Sequence, residues 1–322
     1  MSPALPGIHH VTAITADAQK NVDFYCGVLG LRLVKLTVNF DDPGSYHLYY
    51  GDELGRPGTI LTFFAWSGGQ RGRIGPPQVT TTSFAVAMES LPYWSGRLKQ
   101  FEVETMPRIE RFGEPLLSFT DPDGLKLELI ATSDSKAVAS GAPAAASGGP
   151  VPTEHKIRGF HSVTLSEEGY ENTARLLTDV MGFRADMSEE NRFRYRATDS
   201  GFANVVDLLC TPDARKGSVG AGAVHHVAFR TPNDGQQLTW RKTVVGLGLN
   251  ASPVMDRKYL HSIYFREPGG VLFEIATDGP GFTADESAEQ LGTMLRLPEL
   301  FEPHRAQLEK VLPRLNVPPW TP

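Results

Sequence analysis

The chain has 322 residues, 40% of them apolar, and a formal net charge of −6 at pH 7. This length predicts two domains with a substantial buried core and excludes a small fold held together by disulfides. Because the sequence contains no long basic run that could neutralise a phosphate backbone, nucleic acid is not an expected partner.

The predicted elements begin with a strand over residues 8–14. A helix follows the candidate N-cap Asp17, since apolar side chains recur at helical spacing until Gly30 ends the helix: Val22, Tyr25, Cys26 and Leu29. Three runs rich in β-branched and aromatic residues, separated by turn sequences, then predict three strands: 31–40, 46–50 and 59–66. The first module is therefore a strand, a helix and three strands.

Parts of this module recur later in the chain. Residues 7–12 reappear as 159–164 and residues 28–32 reappear as 180–184, both at a shift of 152 positions. Two matches at one shift argue for an internal duplication, in which the third module repeats the first.

A second pair of matches has a shift of 146 positions. It relates the turn at 121–124 and the following Glu128 to the turn at 267–270 and the following Glu274. Each half of the chain therefore contains two related modules. The sequence predicts four βαβββ modules in two domains.

The domain boundaries follow from composition. Between residues 135 and 150, fourteen of sixteen residues are Ala, Ser, Gly or Pro, which supply no periodic apolar face. The predicted organisation is an N-terminal domain, a linker, a C-terminal domain and a tail, at 1–134, 135–156, 157–280 and 281–322. We expect the tail either to wrap the barrels or to join a dimer.

Cysteine usage and the first residues bear on the compartment. The only cysteines are Cys26 and Cys210, and the opening ten residues have neither a cationic start nor an apolar signal core. A cytoplasmic location is expected. No apolar stretch approaches the roughly 18–20 residues that cross a bilayer, so no membrane association is expected.

Two His-His pairs stand near the start of a module's first strand, His9-His10 and His225-His226. Adjacent strand residues face opposite ways, so only one histidine of each pair can point into a common cavity. Glu274 lies in an apolar run, where an unpaired carboxylate would be costly. Two imidazoles and one carboxylate form a facial triad that leaves positions open on Fe(II), and the same residue types also bind zinc.

Each of these residues has an ordinary structural explanation when it is taken alone. Strand-start histidines can be satisfied by backbone hydrogen bonds, and Glu274 can pair with an arginine such as Arg257. The combination of two histidines and one carboxylate is what favours a metal site.

The repeats offer the same positions a second time. The positions that match His10, His226 and Glu274 in the second and third modules are occupied by Ser162, Ser83 and Glu128. Both nitrogen ligands are missing there, so we expect that copy to hold no metal.

The fourth potential ligand position beside the intact site is Thr62, which matches Glu274 in the first module. Threonine is a poor metal ligand, so coordination there should remain open. This disfavours a glyoxalase-type isomerase, which would need a fourth strong ligand.

These motifs resemble the vicinal oxygen chelate superfamily, whose paired βαβββ modules form half-open barrels around a divalent metal. The resemblance covers about residues 7–280 and implies an α+β fold with two half-open β-barrel domains. More narrowly, the motifs at 7–12, 47–55, 225–229 and 256–274 are similar to the hydroquinone ring-cleaving dioxygenases. That family includes the chlorohydroquinone dioxygenases and the MhqO-like proteins.

The narrower resemblance implies an iron site between the first and fourth modules, with three ligands: His10, His226 and Glu274. It also implies five residues around the substrate: His9, Thr12, His225, Arg257 and Tyr264. Because Ser162 occupies the ligand position of the third module, His10 is favoured over its competitor His161. Strict strand alternation turns His9 and His225 away from the cavity, and a twist or a bulge would be needed to bring them back.

The resemblance implies that both atoms of dioxygen are inserted into a hydroquinone-type aromatic diol, beside a hydroxyl-bearing carbon. The implied cofactor is Fe(II), with Mn or Zn as other occupants of the same ligands, and the implied partners are the diol and O2. His225 or Tyr264 would supply a proton, and Arg257 would stabilise negative charge. A homo-oligomer is compatible with the sequence.

Two alternatives stay open at this point. One is a metal-dependent glyoxalase-like lyase, isomerase or thiol transferase, since one fold hosts several chemistries. The other is a metal-free protein that sequesters an aromatic compound. Six further polar residues receive no chemical role: His47, Asp52, Glu53, His155, His261 and His304.

Overall fold

The computed structural model describes residues 3–133, 148–197 and 202–320. Its strands form two eight-stranded sheets, and each of the four predicted modules contributes one strand, a helix and three further strands. The predicted α+β fold of four βαβββ modules is confirmed.

The elements of each module are given in chain order. The first contains β1 (Ile8–Thr15), α1 (Ala18–Val22), β2 (Arg32–Val38), β3 (Tyr46–Gly51) and β4 (Ile60–Ala65). The second contains β5 (Gln78–Ala87), α2 (Leu91–Gln100), β6 (Ile109–Arg111), β7 (Glu114–Thr120) and β8 (Lys126–Thr132). The third contains β9 (Phe160–Glu167), α3 (Glu171–Arg175), β10 (Phe183–Glu189), β11 (Arg192–Ala197) and β12 (Val205–Cys210). The fourth contains β13 (Val224–Thr231), α4 (Asp234–Gly246), β14 (Met255–Asp256), β15 (Leu260–Arg266) and β16 (Leu272–Pro280), and α5 (Arg305–Val311) lies in the tail.

The first helix shows how local sequence sets an element's ends. The Asp17 side chain accepts hydrogen bonds from the backbone N–H groups of Gln19 and Lys20, both at 3.0 Å, as the predicted N-cap requires. The helix then widens into a π-helical turn, Asp23–Val28, and a second such turn, Leu176–Val180, follows α3.

The modules pair across the linker. The first sheet has the strand order β14-β15-β16-β13-β1-β4-β3-β2, and the second has the order β10-β11-β12-β9-β5-β8-β7-β6. The first and fourth modules therefore share one barrel, and the second and third share the other.

The predicted domains at 1–134 and 157–280 each contain half of both barrels, so the division by sequence order does not coincide with the sheets. The physical reason is that a module leaves one strand edge open, and any related module can pair with it. Local periodicity does not indicate which module pairs with which. Most of the predicted linker lies outside the described residues.

The tail packs against the first module. Lys35, which is fully buried on β2, forms ion pairs with Asp285 at 2.7 Å and with Glu286. The Tyr46 hydroxyl donates to the backbone oxygen of Pro313 at 2.9 Å. Of the two expectations for the tail, wrapping a barrel is the one seen in this chain.

Among the described residues, none of the helices is both long enough and apolar enough to traverse a membrane.

Candidate metal centre

Three neighbouring strands of the first sheet bring two histidines and one glutamate together. β1 carries His10 and pairs antiparallel with β13, which carries His226. β16 lies on the other side of β13 and carries Glu274. Ala228 of β13 pairs with Glu274 on one side and with His10 of β1 on the other. The triad therefore depends on the pairing of the first module with the fourth.

The three side chains converge on one point. The Glu274 Oε2 atom lies 3.2 Å from His10 Nε2 and 2.9 Å from His226 Nε2, and the two Nε2 atoms are 3.3 Å apart. Ligands at about 2.1 Å from a divalent ion, at right angles to one another, are separated by about 3 Å. The spacing fits a single metal ion.

The electrostatics of the triad also fit a cation. Glu274 is fully buried and its Oε1 atom has no hydrogen-bond partner among the described residues. Burial alone would raise its pKa, but the neighbouring His10 and His226 hold the pKa of Glu274 well below its usual range. A buried anion with one orphaned oxygen is the environment that a bound metal ion would complete.

His9 and His225 lie behind the ligands rather than in front of them. The Nδ1 atom of His9 is 2.9 Å from Nδ1 of His10, and the Nδ1 atom of His225 is 2.8 Å from Nδ1 of His226. Each is therefore in hydrogen-bond contact with the ring nitrogen that faces away from the triad. Neither residue lines the cavity at the triad, whereas the family resemblance implies that both surround the substrate.

The cause is a β-bulge at each His-His pair. Ile8 and His10 pair with the consecutive residues Phe229 and Ala228, so His9 is an extra residue on β1. On β13, His225 is extra in the same way, since Val224 and His226 pair with Ala13 and Thr12. A bulge interrupts strict alternation, and the two rings of each pair can then meet.

The neighbouring histidines are uncharged. Burial lowers the pKa of His9 well below its ordinary value and, together with His226, lowers that of His225 to about 3. A neutral imidazole can accept a hydrogen bond through Nδ1, which leaves the Nε2 atoms of His10 and His226 free for a metal.

A small cavity opens beside the triad. Its volume is about 30 Å³, while a cavity needs roughly 10–15 Å³ to hold one water molecule. Besides the triad, it is lined by three of the predicted substrate residues, Thr12, Arg257 and Tyr264. The structure therefore brings these three together with the triad.

Arg257 and Tyr264 form one wall of the cavity. The Arg257 guanidinium lies 5.7 Å from the centre of the Tyr264 ring and 5.6 Å from that of Phe40, and its Nη2 atom is 3.1 Å from Oδ2 of Asp41. Burial and the nearby Glu274 raise the pKa of Tyr264, so its phenol stays protonated and can donate a hydrogen bond. The ordinary structural explanation pairs Glu274 with Arg257. In the structure Arg257 pairs with Asp41 instead.

The sequence-based reasoning missed His47 and Tyr49, which also line the cavity. His47 Nε2 is 2.8 Å from the Thr62 hydroxyl, and the Tyr49 hydroxyl is 2.9 Å from His47 Nδ1. The signal was present, because both residues belong to the motif at 47–55. Their burial on β3, which decides their importance, is a tertiary property.

The strand registers correct one equivalence between the barrels. In the first sheet His226 pairs with Thr12, and in the second sheet Thr81 pairs with Thr164, which repeats Thr12. The counterpart of His226 in the second barrel is therefore Thr81. The assignment of Ser83 to this position from the sequence is wrong. The first strands of the second and fourth modules share no clear motif, so their alignment needed the register.

In the second barrel the repeated glutamate has a different partner. Arg111 Nη1 and Nη2 donate to the two carboxylate oxygens of Glu128, both at 2.8 Å, and the Ser83 hydroxyl donates to the same carboxylate at 2.8 Å. His161, the competitor of His10, belongs to this barrel, where it contacts Glu114 at 3.2 Å. It is therefore on a different sheet from Glu274.

Comparison with known proteins shows the family. Residues 7–129 match the model of the Glyoxalase/Bleomycin resistance protein/Dioxygenase superfamily. The chain is 47% identical to the Bacillus subtilis "Putative ring-cleaving dioxygenase MhqO", with 97% of each chain covered. It is 36% identical to a Sphingobium indicum "Chlorohydroquinone/hydroquinone 1,2-dioxygenase", with 95% of each chain covered.

Solved structures agree on the fold. A crystal structure of a "putative dioxygenase" from Bacillus subtilis superposes with a TM-score of 0.93 at 46% identity, covering 99% of this chain and 100% of the other. Glyoxalase I from Zea mays superposes with a TM-score of 0.62 at 14% identity, covering 84% and 92% of the two chains. The second likeness concerns the fold alone.

The buried triad, the paired half-open barrels and the full-length similarity lead to one assignment, which confirms the resemblance seen in the sequence. The chain belongs to the Glyoxalase/Bleomycin resistance protein/Dioxygenase superfamily and, within it, to the family of the ring-cleaving dioxygenases named above.

Proposed function

We propose that this protein is an Fe(II)-dependent dioxygenase that cleaves the ring of a hydroquinone-type diol next to a hydroxyl-bearing carbon. The observation that carries the proposal is the buried triad of His10, His226 and Glu274 beside a cavity lined by Thr12 and Tyr264. The name of the Sphingobium indicum relative supports the substrate class. In the reaction the diol is oxidised, both atoms of O2 enter the product, and a ring carbon–carbon bond breaks.

The triad would hold the iron through His10 Nε2, His226 Nε2 and a Glu274 oxygen. When bound, an iron ion supplies a Lewis acid and an electron path between diol and dioxygen, and the same ligand types also accept manganese or zinc. The residue matching Glu274 on the first module is Thr62, whose hydroxyl is engaged with Thr12 at 2.9 Å. Three protein ligands leave room for two reactants.

The other residues would act on the substrate directly. Arg257 carries a fixed positive charge that would stabilise the anionic form of the diol. Tyr264 is a neutral phenol at the cavity wall and would donate a proton or hydrogen bond to the oxygen that develops negative charge. His225 lies behind His226, so Tyr264 is the better placed of the two proton donors considered from the sequence.

Oxygen uptake tests the proposal. Protein reconstituted anaerobically with Fe(II) should consume dioxygen when hydroquinone is added, and 18O2 should place two labelled atoms in a ring-opened acid. His226→Ala should lose both metal and uptake, whereas His304→Ala, a change at an exposed tail histidine, should keep both.

Two results would overturn the proposal. One bound iron per chain without uptake on hydroquinone or catechol would favour the glyoxalase-like chemistries. Unchanged affinity for aromatic diols in a metal-free His226→Ala protein, again without uptake, would favour a sequestering protein.

A further inference from the structure

A series of hydrogen bonds connects four side chains of the first module, three of which line the cavity beside the triad. The Tyr49 hydroxyl contacts His47 Nδ1 at 2.9 Å, His47 Nε2 contacts the Thr62 hydroxyl at 2.8 Å, and the Thr62 hydroxyl donates to the Thr12 hydroxyl at 2.9 Å. All four side chains are at most 9% exposed. The chain links the third strand of the first module to the strand that carries the ligand His10.

The direction of every bond in the chain follows from one of them. A threonine hydroxyl has a single proton, and that of Thr62 is donated to Thr12. His47 must therefore donate its Nε2 proton to Thr62, and its Nδ1 atom must accept from Tyr49. Burial keeps the chain uncharged, because it lowers the pKa of His47 and raises that of Tyr49.

This direction leaves one donor at the end of the chain. Thr12 accepts from Thr62, and among the described residues its own hydroxyl proton has no acceptor. Thr12 lines the cavity beside the triad. Its remaining proton is thus available to a ligand in the cavity, and the three residues behind it determine that it donates rather than accepts.

The corresponding positions of the second barrel are occupied differently. The registers match His47, Tyr49 and Thr62 with three charged residues, Arg192, Arg194 and Asp207. Here Arg192 Nη1 donates to Thr164 at 2.9 Å, and Arg194 pairs with Asp207 at 2.8 Å. The barrel without histidine ligands replaces the uncharged chain by ion pairs, so the uncharged chain accompanies the triad.

The Tyr49 end of this series of hydrogen bonds packs against one aromatic ring of the tail and one of the fourth module. The Tyr49 ring lies 5.1 Å from the ring of Phe282 and 6.5 Å from that of Tyr259, measured between centroids. These ring contacts fix the Tyr49 side chain, whose hydroxyl lies against His47 Nδ1.

We propose that Tyr49, His47 and Thr62 are positioning residues that orient the Thr12 hydroxyl as a hydrogen-bond donor to a substrate hydroxyl or phenolate in the cavity. The inference rests on the proposed function for the identity of the substrate, a diol. The arrangement of protons along the chain does not depend on it.

The tautomer of His47 gives the first test, in protein that need not be active. Nitrogen-15 NMR of the full-length protein, loaded with zinc, should show His47 protonated at Nε2 and unprotonated at Nδ1. Tyr49→Phe should shift the Nδ1 resonance of His47, and Tyr50→Phe should leave it unchanged, because the Tyr50 hydroxyl donates to Asn21 instead. An Nδ1-protonated His47 in the wild-type protein would overturn the proposal.

Substrate handling gives the second test. Thr62→Val is nearly isosteric and breaks the chain at its centre, so kcat for hydroquinone should fall by about 5- to 30-fold with bound iron unchanged. The affinity of the zinc-loaded protein for phenol should fall by a similar factor. His47→Gln, whose amide can still donate to Thr62, should recover most of the activity that His47→Leu loses.

The two tests separate the proposals. A wild-type protein that never consumes oxygen contradicts the proposed function. In that case the His47 tautomer and the affinity for phenol still test whether the hydrogen-bond series orients Thr12. An active wild type whose Thr62→Val variant matches Tyr50→Phe in kcat and in phenol affinity would show that the chain orients nothing.

Discussion

The Nδ1 atom of His225 lies 2.8 Å from the Nδ1 atom of its neighbour His226, and His9 and His10 repeat this contact at 2.9 Å. Two side chains that are adjacent on a strand normally point to opposite faces. Here a bulge at each site lets the first histidine of the pair support the second. In each pair, the second histidine is placed to bind a metal, and the first histidine fixes the imidazole ring of the second.

This relationship predicts that His225 contributes to metal binding without being a ligand. In His225→Ala the Nδ1–H group of His226 loses its acceptor, so we expect the affinity for a divalent metal to fall by about 10- to 100-fold. Competition with a chelator measures it. His261→Ala is the control, since His261 pairs with Asp234 at 2.6 Å on another part of the fourth module. Equal affinities in the two variants would contradict the supporting role.

A second prediction concerns access to the cavity. A volume of about 30 Å³ is too small for an aromatic ring, which needs a cavity on the order of 150 Å³. The cavity wall includes Arg257, which is paired with Asp41 on the loop between β2 and β3. We therefore expect the opening of this pair to ease the entry of a diol.

Asp41→Asn should make that opening easier and leave Arg257 free for the substrate. Because the Asp41 side chain is 68% exposed, the gain is limited, and KM for hydroquinone should fall by no more than about 5-fold. Raised ionic strength should reduce the difference between the two proteins. Asp42→Asn, in the same loop but paired with Ser45, serves as the control. A higher KM in Asp41→Asn alone would show that Asp41 assists binding instead.

A third prediction follows from a buried carboxyl group outside the candidate site. Glu167 is fully buried, and Glu267, whose carboxylate accepts from the Thr173 hydroxyl at 2.6 Å, lies nearby. Burial and the charge of Glu267 raise the pKa of Glu167 from 4.5 to about 8. The folded state therefore holds its proton more tightly than the unfolded state does.

The free energy of unfolding should accordingly fall as pH rises from about 4.5 through 8, because the folded protein must then ionise a buried acid. Glu167→Gln should weaken this dependence and be more stable than wild type at pH 9, by roughly 1–3 kcal/mol. Urea denaturation at pH 5, 7 and 9 measures it, with the exposed Glu171→Gln as control. Parallel pH profiles for wild type and Glu167→Gln would rule the explanation out.

A fourth prediction separates structure from function in the second barrel. Arg111 and Glu128 form a bidentate ion pair with side chains that are 13% and 6% exposed. Removing only the arginine takes the ion-pair partner from the buried Glu128 carboxylate, which then keeps hydroxyl donors such as Ser83. Arg111→Met should therefore destabilise the fold by about 3–5 kcal/mol while the bound metal stays at one per chain.

The double variant Arg111→Met with Glu128→Gln should recover a large part of that loss, since it removes both charges together. Thermal unfolding and metal analysis of the three proteins check this. Loss of metal from Arg111→Met while the fold is intact would show that the barrels are coupled in a way that the ion pair does not explain.

Much of this molecule follows from local sequence patterns. The turn chemistry around Gly30, the N-cap Asp17 and the repeats at two shifts were sufficient to predict four βαβββ modules. The repeats also indicate that only one copy of the site has both histidines, whereas the family resemblance implies the ligand set of His10, His226 and Glu274. These features depend on residues that are near in sequence or that recur at a constant spacing.

Other features required the tertiary structure. The pairing of β1 with β13 decides which modules share a barrel, and four related modules present similar strand edges to one another. The bulges at His9 and His225 decide where those rings point, since inserting one residue in a ladder reverses the alternation on which a sequence argument relies. The role of His47 likewise depends on Thr62, which lies 15 residues away on another strand. Local periodicity determines whether a segment forms a helix or a strand. The pairing of strands that are distant in sequence determines which side chains come together in the site.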